Sequence, residues 1–118
     1  MNDGPHQDVS YHDAVGVVRL GGEVDIVQAQ ELRELLLGAI RNDDLGLVVD
    51  LTEATYVDSV GVSLLFELAD RLGERQLRLA VVVPESGLVD RVLGIVNLQS
   101  VAAIHRSLDG ALASISSE

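Results

Sequence analysis

The chain holds 118 residues, 47% of them hydrophobic, which suits one packed domain and lies far from the profile of a disordered polypeptide. Nineteen acidic residues against eight basic ones give a formal net charge of −11, which leaves no cationic footprint for nucleic acid and sets the chain against an anionic membrane surface. All eight basic residues are arginine and there is no cysteine, so Schiff-base chemistry, disulfides and thiolate metal sites are excluded.

No apolar run approaches the ~20 residues of a bilayer span, because Arg19, Arg33, Asp50, Arg71 and Asp90 interrupt the longest stretches. The opening segment, Met1 to His6, lacks the basic region and apolar block of a secretory signal. A cytoplasmic protein without direct membrane binding is the expectation. The acidity favours a protein partner with a basic patch, since opposite fields speed encounter, although it also serves solubility.

Residues 1–7, rich in Asn, Asp, Gly, Pro and Gln, read as a disordered tail, and residues 8–116 as one domain. Val9-Ser10-Tyr11 and Val15-Gly16-Val17-Val18-Arg19-Leu20 read as strands of a hairpin turned at Asp13-Ala14, with Gly21-Gly22 closing the second. A first helix is predicted from about Val27 to Arg41, with Leu32, Leu35, Leu36, Ala39 and Ile40 on one face. Asn42-Asp43-Asp44 breaks it before the strand Leu47 to Leu51. A second helix, about Val60 to Leu72, lines up Gly61, Leu64, Leu65, Leu68 and Leu72, with Gly73 at its C′ position. Gln76 to Val83 is the next strand, closed by Pro84. Ser86 is positioned to cap a short helix through Leu93, Val101 to Ile104 is a last strand, and Ser107 is positioned to cap a final helix. The order β-β-α-β-α-β-α-β-α, with near-continuous apolar strands, predicts an α/β fold whose later strands are parallel and covered by helices.

Enzyme chemistry finds little support. The three histidines, His6, His12 and His105, have no sequence relation that pairs one of them with a nucleophile. The chain has no HExxH, GxGxxG or GxxxxGK[ST], so neither a metal nor a cofactor is expected. Asp50 near a strand end invites comparison with phospho-aspartate receivers, but the N-terminal hairpin and the absence of lysine set the chain apart from them.

The segment Asp58-Ser59-Val60-Gly61 sits where a loop enters the second helix. A hydroxyl there lies beside free N–H groups and the positive end of the helix dipole. Ser59 is therefore placed to cap the helix or to carry a phosphate, and on chemistry alone a serine there is more often the cap. Asp58 either satisfies N–H groups at the helix start or orients the Ser59 hydroxyl for a partner. Asp25 either caps the first helix or, with Glu23, lines a surface beside Ser59.

Two segments taken together carry a family resemblance. Leu20-Gly21-Gly22-Glu23-Val24-Asp25 and Val57-Asp58-Ser59-Val60-Gly61-Val62 lie about 35 residues apart. With Ala29-Gln30-Glu31-Leu32 and Leu47-Val48-Val49-Asp50-Leu51 between them, they resemble the STAS domain. More narrowly, the chain is similar to stand-alone bacterial anti-sigma factor antagonists. The resemblance implies a mixed sheet of four to five strands with about four helices packed largely on one face. It implies a non-enzymatic regulator that binds an anti-sigma factor, a serine kinase of the histidine-kinase-like ATPase fold, and so releases a sigma factor. It further implies that phosphorylation of Ser59 ends the binding and that a serine phosphatase resets the switch. The partner surface so implied comprises Glu23, Asp25, Asp58, Ser59, Val60, Gly61 and Ser63. Val60 stands where many antagonists have Ser or Thr, and an accessory STAS subunit of a transporter or sensory complex, never phosphorylated, is the alternative.

Overall fold

The apolar run Leu47-Val48-Val49 becomes the middle strand of the sheet. In the computed structural model, which describes residues 6–116, the elements are β1 (His6–His12), β2 (Val15–Val24), a 3-10 turn (Ile26–Gln28), α1 (Ala29–Gly38), β3 (Gly46–Asp50), β4 (Ala54–Val57) and α2 (Ser59–Glu74). There follow β5 (Arg78–Val82), α3 (Leu88–Ile95), a second 3-10 turn (Leu98–Ser100), β6 (Ala103–His105) and α4 (Leu108–Ser116). β3 is buried at every position, as a strand covered on both faces must be.

β1 and β2 form the expected antiparallel hairpin, turned at Asp13, whose φ of 54° is left-handed. The remaining pairings are parallel, and the sheet runs β1-β2-β3-β5-β6. Val15, Val17, Val48, Ala80 and Val82 point to one face, beneath Ala111 and Ile115 of α4. Val18, Leu20, Leu47, Val49 and Val81 point to the other, where they meet buried leucines of α1 and α2 and Val89 and Leu93 of α3. Three helices thus share one face, the largely one-sided packing that the resemblance implies.

Several local readings need correction. β2 does not stop at Gly21-Gly22. Gly22 adopts a left-handed φ of 77°, the register shifts between Gly22 and Glu23, and the strand continues as a partner of β4. β4 itself, a sixth strand, is too short and too soon after β3 for its two buried positions, Ala54 and Val57, to show a period. The first helix opens later than predicted, behind the 3-10 turn. α2 runs on through Gly73. Its C′ residue is Gln76, at φ 61°, with Leu77 N–H donating to Leu72 O (2.8 Å) and Gln76 N–H to Gly73 O (3.0 Å) in a Schellman closure. Gly87, not Ser86, precedes α3. Ser107 does cap α4, accepting from Gly110 N–H at 3.0 Å. The tail read at residues 1–7 falls outside the described residues for 1–5, while His6 and Gln7 open β1.

Candidate functional site

β2 and β4 end side by side, and α2 starts where they end. Asp58 is the hinge of this arrangement. Its backbone is extended, its N–H donates to Val24 O (3.1 Å), and its carboxylate caps α2 by accepting from Gly61 N–H at 2.9 Å. The other carboxylate oxygen accepts from Ile26 N–H at 3.1 Å. One side chain therefore ties the start of α2 to the 3-10 turn before α1. Gly61 is needed for the same contact, because a Cβ there would lie 2.6 Å from Val24 O. It is buried, and its side of the helix faces the end of β2.

With Asp58 acting as cap, Ser59 is the first residue of α2 and is exposed. Its hydroxyl has no hydrogen-bond partner among the described residues. Its own N–H and that of Val60 lie in the helix's first turn, where no intrahelical acceptor exists. Ser63, one turn further, is also exposed, while Val60 is half-buried. Val60, Ser63, Leu64 and Glu67 of α2 face Ala29, Gln30 and Arg33 of α1 across a shallow groove of about 160 Å³.

Asp25 caps the 3-10 turn, accepting from Val27 N–H at 3.1 Å. Glu23 is exposed and stands in register beside Tyr56 of β4, which is itself exposed. Behind the site, the buried Asp50 accepts from Arg19 Nε (3.2 Å) and from both the N–H (3.0 Å) and hydroxyl (2.8 Å) of Thr52. It thereby holds the turn that sends the chain from β3 into β4 and on to Ser59. Alongside, Glu67 receives Arg33 (Nη2 2.7 Å, Nε 2.8 Å) and Arg71 (3.6 Å). The hydrogen bond from Arg33 holds the Glu67 carboxyl below its usual range and raises the guanidinium of Arg33 in return.

All seven residues singled out in the sequence thus gather at one pole, with different parts. Ser59, Ser63 and Glu23 are open to solvent, Val60 is half-buried, Asp25 and Asp58 have carboxylate oxygens engaged by backbone N–H groups, and Gly61 is packed. The sequence reading missed Tyr56 and the pair Ile26-Val27, which are 65% and 80% exposed. A signal for the pair existed, since neither residue falls on the apolar stripe of the first helix. Among the described residues no group of three His, Asp or Glu side chains is arranged to hold a metal. None of the described helices is long and apolar enough to cross a membrane.

A parallel-ended sheet with an N-terminal hairpin and a serine at the mouth of α2 defines a class, and comparison with known proteins agrees. The STAS domain model matches residues 6–111, and the chain belongs to that family. It is 30% identical over 66 residues to the anti-sigma-F factor antagonist RsfB of Mycobacterium tuberculosis. That match takes in 56% of this chain and 54% of RsfB, about half the length of the relative. The crystal structure of an anti-sigma factor antagonist from Mycobacterium paratuberculosis superposes with a TM-score of 0.87 at 26% identity, covering 99% of this chain and 98% of that one. The anti-sigma factor antagonist SpoIIAA, in its unphosphorylated form, shares the fold with a TM-score of 0.77 at 20% identity over 93% of this chain and 96% of its own.

Proposed function

We propose that this chain is an anti-sigma factor antagonist, a binding protein and not an enzyme. It works in the cytoplasm, where it takes hold of an anti-sigma factor that is itself a serine kinase of the histidine-kinase-like ATPase fold and so frees a sigma factor. The kinase transfers the γ-phosphoryl of ATP to Ser59 Oγ, breaking its bond to the β,γ-bridging oxygen so that ADP leaves and the hydroxyl proton passes to a base of the kinase or to solvent, and the complex comes apart. A serine phosphatase hydrolyses the ester and restores the binding form. The observation that carries this reading is the Ser59 hydroxyl, exposed, without a hydrogen-bond partner among the described residues, and relieved of capping by Asp58.

Phosphorylation adds roughly −1.5 to −2 charges at neutral pH. The open N–H groups of Ser59 and Val60 favour that charge, and the neighbouring Asp58 carboxylate opposes it. A partner surface shaped for a small hydroxyl meets instead a bulky dianion whose unpaired desolvation costs several kcal/mol, enough to dissolve an ordinary complex. The test combines the chain with anti-sigma factor kinases of its own cell and ATP. Phosphate is expected on Ser59 by mass spectrometry. Ser59→Ala keeps binding but cannot be switched off, and Ser59→Asp binds weakly. Equal binding by all forms refutes the switch. Val60, which lacks the hydroxyl often found there, favours a second reading as a never-phosphorylated accessory subunit, and an unmodified chain with every such kinase decides for it.

A further inference from the structure

Ile26 and Val27 are the only consecutive pair of large, exposed apolar side chains among the described residues. Single exposed apolar residues are ordinary on a protein surface. This pair differs because its backbone is fixed from both sides. Ile26 N–H is held by Asp58 and Val27 N–H by Asp25, each at 3.1 Å. Both side chains are β-branched, with little χ1 freedom left to lose. Docking such a pair therefore orders almost nothing that is not already ordered, which is how a small contact becomes a strong one.

The surroundings specify the occupant. Glu23 on β2, Asp25 just before the turn and Glu31 and Glu34 on α1 outnumber Arg19 and Arg33 of the same elements, Asp58 at the start of α2 adds a further carboxylate, and the whole chain carries −11. A second copy of this chain would set those carboxylates against its own. A surface with an apolar pocket and a cationic rim matches both the shape and the sign.

We propose that the Ile26–Val27 turn is the apolar anchor by which this chain grips its anti-sigma factor, entering an apolar pocket rimmed by arginine or lysine. The proposal rests on the function proposed above and adds to it a contact separate from the serine. Asp58 is its positioning residue, since the same carboxylate that caps α2 beside Ser59 fixes the turn. A phosphoryl group on Ser59 thus stands at the edge of the anchor's footprint.

The experiment measures association and dissociation rates of the full, unphosphorylated chain with its anti-sigma factor kinase. The double variant Ile26→Ser, Val27→Ser is expected to bind about 30-fold more weakly, chiefly through faster dissociation. Glu23→Gln slows association and flattens its salt dependence. Val101→Ser, an exposed apolar residue at the start of the turn into β6, binds as wild type. Circular dichroism and urea midpoints of the double variant stay at wild-type values, because the side chains removed are already in water. If the double variant binds within about twofold of wild type while Ser59→Asp is weakened, the anchor is wrong and the proposed function survives. If the wild type binds no anti-sigma factor kinase, both fall. If sedimentation shows a wild-type dimer that the double variant converts to monomer, the turn is a self-contact and the anchor is likewise overturned.

Discussion

Ser59 and Asp58 stand side by side at a helix start where either side chain could serve as the cap. A serine at a helix start is ordinarily its cap, but here Asp58 takes that position and Ser59 moves one residue inward with its oxygen free. Gly61 shows how tightly that position is held. A methyl group at Gly61 meets the backbone oxygen of Val24, which cannot swing aside as a side chain can. Gly73 lies in the same helix with nothing within 4 Å of its would-be Cβ. The two glycines therefore respond oppositely to one change. Gly73→Ala is expected to stabilise by about 0.5–1 kcal/mol, the ordinary helix preference for alanine. Gly61→Ala is expected to destabilise by about 1–3 kcal/mol through overpacking, in spite of that preference. Urea denaturation of both variants checks the sign of each, and weakened partner binding by Gly61→Ala is expected because Asp58, Ser59 and the Ile26 turn move together.

Between elements, the tie that matters near the site is Glu67 on α2 with Arg33 on α1. These side chains are partly exposed, so the pair contributes little at neutral pH. Its pH dependence nevertheless has a definite sign. The folded carboxyl of Glu67 titrates below its unfolded value. The stability it supplies is therefore complete above the unfolded carboxylate range and disappears as the pH falls through the lower folded value. Glu67→Gln is expected to be slightly less stable than wild type at neutral pH and equal to it in strong acid. Thermal melts across that interval test the convergence. The tie also braces the wall of the groove that begins at Val60. At the far pole, Arg41 does a comparable job for the hairpin. It pairs with the buried Asp44 (2.9 Å), stacks on Tyr11 (3.8 Å to the ring centroid) and bonds Asp13 O (2.6 Å). The sheet is thus fastened at both ends, which leaves the mouth of α2 as a fixed platform.

For the molecule as a whole, −11 charges on 118 residues produce two opposite responses to salt. Screening relieves self-repulsion within the fold, and it also weakens attraction to a basic partner. Raising sodium chloride from about 0.02 to 0.5 M shortens the Debye length from roughly 20 Å to about 4 Å. The melting temperature is expected to rise over that range while the association rate with the anti-sigma factor proposed above as its partner falls. Calorimetry and stopped-flow mixing at matched salt concentrations check the pair of trends, and a falling melting temperature would show that local ion pairs outweigh the net repulsion.

Most of the architecture was legible because it is written in local periods. Leu47-Val48-Val49 announces a strand buried on both faces, and the leucines of α2 announce a helix with one buried side. The placement of Ser59 at the head of that helix follows from the same pattern. Two things lay beyond it. β4 pairs with the far end of β2 only because a glycine bulge lets β2 continue, and four residues are too few to display a period. The Asp58 carboxylate closes on Ile26, 32 residues away, and a hydrogen-bonding choice across that separation leaves no trace in spacing. The chain's local patterning chose its strands, helices and serine. Folding alone decided which carboxylate would cap, which glycine would be crushed against a carbonyl, and which apolar pair would be left standing in water. Those outcomes depend on groups distant in sequence meeting at one end of a sheet.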